Sequence, residues 1–127
     1  MILLRIIYVL NIIVAGQIAY SAIKDPVRAA ATTFQNAYPP SEAMRLVGCL
    51  WLAITVLSVL GLFRPLVFAP VLLLQVIYKG SWLLFVAWPA IRAGVDYPRG
   101  MAAFFLVWVL VLPFAIPWRL WWAGLAG

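Results

Sequence analysis

Cut at its charged residues, the chain falls into uncharged runs at 6–23, 46–63 and 100–118, with a fourth at 65–91 that only Lys79 interrupts. A helix needs about 20 largely apolar residues to cross the hydrocarbon core of a bilayer, and each run is of that order. A small water-soluble fold has no place for them. Of the 127 residues, 68% are hydrophobic and 9% charged, and the mean hydropathy is +1.11, so polar surface is too scarce to coat a globule of this size. The runs are continuously apolar, whereas a barrel strand alternates lipid-facing and lumen-facing residues over about 10 positions. The expectation is an all-α, integral membrane four-helix bundle forming one domain over 1–127, with helices near 2–23, 43–63, 66–91 and 100–122.

The connections are unequal. Gly61-Leu62-Phe63-Arg64-Pro65 reads as a tight turn and Gly94 to Gly100 as a short loop, leaving 24–42 as the one long connection. Within it, Pro26 can open a helix at its first turn. The Ala-rich stretch 27–37 then predicts a short interfacial helix between helices 1 and 2, with Val27, Ala30 and Phe34 on its apolar side. Pro39-Pro40 ends that stretch, and Ser41 is placed to cap the second long helix, with Glu42 and Arg45 in its first turn. Arg5 before an apolar run and Ala19-Tyr20-Ser21 imitate a signal peptide, but the run exceeds a usual signal core, so a retained first helix is expected.

Four spans put both termini and the 61–65 turn on one side, with Arg5, Arg64 and Arg119. The other side holds Lys24, Arg28, Arg45, Arg92 and Arg99 together with all three acids. Each acid stands three residues before an arginine: Asp25 and Arg28, Glu42 and Arg45, Asp96 and Arg99. That spacing allows an ion pair on a helical turn. A count of Lys and Arg alone, five against three, would turn the longer loops inward. Masking by the acids and the amine beside Arg5 turn the termini inward instead, and we take cytoplasmic termini in a bacterial inner membrane as the expectation. Trp118, Trp121 and Trp122 around Arg119 form an aromatic belt at the end of the last helix, where Pro113 and Pro117 predict a kink.

The formal charge of +6 is spread singly along the chain, so anionic lipid headgroups rather than nucleic acid are the expected counter-charge. With no histidine, bis-histidine haem, common zinc sites and His-activated nucleophiles are excluded. No paired carboxylates occur, and the single Cys49 lies inside the second span and cannot form an intrachain disulfide. Nothing here points to an enzyme, a metal or a cofactor.

Lys79 is the candidate for function. A charge at mid-span costs roughly 2.5–3.5 kcal/mol on insertion scales, and Gln75, Tyr78, Lys79 and Trp82 recur at i, i+3, i+4 and i+7 on one helical face, with Ser81 beside them. Three readings stay open, one of them a contact of this face with another subunit. In the second, Lys79 snorkels or bonds to neighbouring helices while Gln75 and Ser81 act as interhelical glue. In the third, these residues receive a lipid-like, quinone-like or anionic molecule in an intramembrane pocket. Asn11 and Gln17 on the first helix lie above and below the same layer and are expected to bond across helices. Glu42 reaches Lys79 only if both side chains stretch. Gly48 and Cys49 are small enough for the third helix to approach, Ala15, Gly16 and Ala19 suit close packing, and Thr55 and Ser58 suit back-bonding to their own helix.

Glu42-Ala-Met-Arg45-Leu-Val-Gly48, followed by an apolar helix ending in Gly61-Leu62-Phe63-Arg64, resembles the second-helix pattern of DoxX-like small bacterial membrane proteins over roughly Pro26 to Arg64. The resemblance implies four helices with a longish first connection and supplies little mechanism. Tyr78-Lys79-Gly80-Ser81-Trp82 has no counterpart in it. The functions expected are an accessory subunit of a larger membrane complex, a ligand binder around Lys79, or a small transporter or channel. The last would need a polar path, to which the fourth helix contributes almost nothing.

Overall fold

The computed structural model describes residues 2–126, with side chains through residue 123. Within them it is helical and contains no strand. Helix α1 spans Ile2–Lys24, α2 Pro26–Thr32 and α3 Glu42–Phe63. Helix α4 covers Pro70–Ala93, α5 Arg99–Ala115 and α6 Trp118–Ala126. Helices α1, α3 and α4 are long and apolar enough to cross a membrane, whereas α5, with 17 residues, falls short of that length.

Local chemistry accounts for the boundaries. Helix α2 starts at Pro26, and the Asp25 carboxylate accepts from the Arg28 backbone N–H at 3.1 Å, so this acid caps a helix where an ion pair with Arg28 was expected. The helix stops at Thr32 rather than reaching residue 37. The Phe34 N–H closes back on the Ala29 carbonyl, five residues earlier, at 3.2 Å, and Gln35 and Asn36 then adopt left-handed φ of 52° and 61°, a backbone reversal of the kind that terminates helices. Ala30 and Phe34 are buried as expected of the apolar side, but Val27 is exposed. Ser41 caps α3, accepting from the Met44 N–H at 3.3 Å.

The third long helix begins at Pro70 rather than residue 66, because 64–69 forms successive turns and Pro70, which has no N–H to satisfy, opens the first helical turn. Inside α4, Leu83–Ala87 widens into a π turn, with the Trp88 N–H donating to the Leu83 carbonyl. Pro89 explains it: its ring clashes with the carbonyl four residues earlier and it lacks the N–H that carbonyl would use, so an extra residue is accommodated in the turn. The last predicted helix, 100–122, is two helices. Pro113 weakens the end of α5, Ile116 turns extended at ψ 131°, as a residue before proline prefers, and the Trp118 indole N–H takes up the Pro113 carbonyl at 2.7 Å.

Packing divides the helices into two pairs. Helices α1 and α3 lie against each other along their lengths, and α4 packs mainly on α5. Buried Ala15, Ala19 and Ala22 of α1 let α3 approach. Gly48 serves this contact and not the approach of α4, since a Cβ there would come within 2.8 Å of the Ala22 Cβ. The pairs meet at polar pins. Tyr8 donates its hydroxyl to the Pro65 carbonyl at 2.7 Å. Asn11 and Gln75 exchange two amide hydrogen bonds, 3.1 and 3.2 Å, and Asn11 also donates to the Ser58 hydroxyl at 3.3 Å. Ser58 therefore bonds across helices rather than along its own, whereas Thr55 donates to the Trp51 carbonyl at 2.9 Å.

Candidate functional site: a caged lysine beside an aromatic groove

Lys79 is 4% exposed. Its ammonium sits among four aromatic rings, with Nζ 5.2 Å from the Phe105 centroid, 5.3 Å from Trp108, 5.6 Å from Tyr78 and 5.7 Å from Phe104. Ring faces carry negative electrostatic potential, and a desolvated cation gains about 2 kcal/mol or more from such contacts. The cage fits because Phe104 and Phe105 lie one helical turn before Trp108 on α5, facing α4. Beside it lies a cavity of about 20 Å³, lined in part by Asn11, Gln75, Tyr78 and Lys79. That is room for roughly one water, and the two amides on its wall supply the partners such a molecule needs.

On the other side of Tyr78, α3 and α4 diverge from the 64–69 connection and leave a groove of about 540 Å³. Its walls are Met44, Val47, Trp51, Ile54 and Leu57 of α3, Leu74, Tyr78 and Trp82 of α4, and Met101 and Phe105 of α5; Phe34, Tyr38, Pro39 and Ser41 form one end. The aromatic residues hold one another in place. Phe34 stacks on Trp51 at 6.2 Å and 9°, and Phe105 meets Tyr78 and Trp82 edge-on at 6.0 and 5.4 Å. Trp51 donates its indole N–H to the Tyr78 hydroxyl at 3.0 Å. The hydroxyl keeps its own proton to donate. A second hydroxyl, on Tyr38, is buried without a hydrogen-bond partner among the described residues, which costs on the order of 1–3 kcal/mol.

The predicted stripe is thus split by Tyr78, which lines both spaces. Trp82 faces the groove, and Gln75 and Lys79 face α1 and α5. Ser81 is half-buried and lines neither space. Asn11 joins the layer as expected, but Gln17 is exposed on the outer side of α1, because it lies six residues from Asn11 and therefore on a different face. Glu42 pairs with Arg45 at 3.2 Å at the exposed start of α3, not with Lys79. Arg99, expected near Asp96, lies instead over the Tyr97 ring at 5.7 Å. Sequence reasoning missed Phe104, Phe105 and Trp108, although their spacing of one and three residues was a visible aromatic stripe. It also missed the groove, which depends on how far two neighbouring helices diverge. Comparison with protein-family models, with curated proteins and with solved structures gives no match.

Proposed function

We propose that this is a four-span integral membrane protein that binds a lipid-like or quinone-like molecule in the groove between α3 and α4. The observation that carries the reading is the groove itself. At about 540 Å³ it has the size of a small-molecule site, and its wall is apolar and aromatic with a few placed polar groups, the usual composition of such sites. The Tyr78 hydroxyl, oriented by Trp51, is positioned to donate to a carbonyl oxygen. Lys79 lies behind Tyr78 and favours electron-rich groups on that side through its charge. In this reading α5 spans the bilayer with the help of its continuation toward the Trp-rich α6, the termini face the cytoplasm of a bacterial cell, and the pattern from Glu42 to Arg64 supports kinship with DoxX-like proteins. An accessory-subunit role has only the apolar outer surface in its favour, and transport lacks a polar path beyond the single layer at Asn11, Gln75 and Lys79.

Extraction in native lipid followed by mass spectrometry tests the binding role. We expect one amphiphile retained in stoichiometric amount and lost from Ala53→Trp, since Ala53 of α3 also lines the groove and the larger side chain fills it. Tyr78→Phe should weaken retention of a carbonyl-bearing ligand about 2- to 13-fold, the equivalent of one ordinary hydrogen bond. Equal retention by Ala53→Trp would rule the groove out, and a stoichiometric protein in place of an amphiphile would establish the accessory role instead.

A further inference from the structure

The outer face of α1 carries Leu3, Ile6, Leu10, Ile13, Gln17 and Tyr20, all exposed. Their spacing of three, four, three, four and three residues is the seam of a left-handed helix pair. Five of the six suit lipid; Gln17 does not. It lies seven residues, roughly 10 Å, before the end of the helix at Lys24, which places it inside a hydrocarbon layer about 30 Å thick. Its amide takes no part in the side-chain hydrogen bonds that tie α1 to α3, α4 and the 64–69 connection.

We propose that a second copy of this chain docks on this seam, making a parallel dimer about a two-fold axis along the membrane normal. A carboxamide is self-complementary, since its N–H donates to the oxygen that its symmetry mate presents while its own oxygen accepts in return. A two-fold axis beside Gln17 brings the two amides together and sets one register, as a single polar residue does in a coiled-coil seam. Lipid tails offer an amide nothing. A different protein would need a matching donor and acceptor at the same depth, whereas a second copy supplies both by symmetry. The inference rests on the membrane reading and is independent of the groove, so loss of the dimer and loss of ligand are separate results.

The test uses the full chain, labelled for energy transfer and diluted in phosphatidylcholine vesicles after flotation has verified insertion. We expect a dimer whose dissociation constant rises roughly 3- to 20-fold in Gln17→Leu, the range that interhelical hydrogen bonds in membranes span, and returns toward the original value in Gln17→Asn. In a Cys49→Ala background, Ile6→Cys, Ile13→Cys and Tyr20→Cys should cross-link on oxidation, while the equally lipid-facing Phe85→Cys and Val107→Cys should not. A monomer at every dilution, a dimer indifferent to Gln17→Leu, or cross-linking that favours Phe85→Cys or Val107→Cys overturns the proposal. A chain that does not float with the vesicles overturns the membrane reading beneath it.

Discussion

Asn11 holds three helices with one side chain, reaching Gln75 on α4 and Ser58 on α3. In an apolar interior its removal leaves two buried polar partners unsatisfied. Asn11→Leu should therefore cost about 1–3 kcal/mol, read as a lower midpoint of unfolding in detergent. Adding Gln75→Leu should recover part of that loss, because an amide without its partner is worse than no amide, and the cycle should return a coupling of about 0.6–1.7 kcal/mol. Lys79 behaves differently. Its cage solvates a charge that the fold does not otherwise need, so Lys79→Met should insert and fold at least as well as the parent. Trp108→Ala, which opens the cage and leaves a cavity, should lose about 3–5 kcal/mol. Thermal melts of the two variants side by side measure the contrast. The polarity of this layer was legible in the sequence, since Asn11, Gln75 and Lys79 are conspicuous among apolar neighbours. The partners of the ammonium were not, because a hydrophobic pattern does not distinguish aromatic residues that face lipid from those that face a cation.

At the scale of the elements, two helical glycines make opposite predictions. A Cβ on Gly61 would lie 2.7 Å from the Tyr8 ring, so Gly61→Ala must displace the side chain that bonds Pro65, at a cost of about 1–3 kcal/mol. Gly80 faces open space, with nothing within 4 Å of such a Cβ, and Gly80→Ala should stabilise α4 by about 0.4–1 kcal/mol through the entropy of the unfolded chain. Unfolding midpoints of the pair give both signs in one experiment. Helix existence was plain from the charge-delimited runs, and the Ser41 cap and the kink near Pro113 followed from residue chemistry. The misplaced start of α4 and end of α5 share one cause: where prolines stand close together, as at 65 and 70 or at 113 and 117, each is a permissible boundary, and tertiary packing selects among them.

For the whole molecule, the proposed four spans require tags at the two ends of the chain to label from the same side of intact cells, and opposite labelling would remove one span. The pairing of α1 with α3 and of α4 with α5 follows helix order, because consecutive long helices are ordinarily neighbours, but the divergence of α3 from α4 breaks that rule and could not be read, being a matter of side-chain volumes at the Phe34, Trp51, Tyr78 and Phe105 junction. That pairing also sets a timetable for synthesis. At about 5–20 residues per second, Ser58, 47 positions after Asn11, follows it out of the ribosome by roughly 2–9 s. Gln75, 64 positions after Asn11, follows by roughly 3–13 s. The first hairpin can therefore close on itself with a single hydrogen bond at its polar centre and wait there, its remaining amide capacity held open for the helix that has yet to arrive.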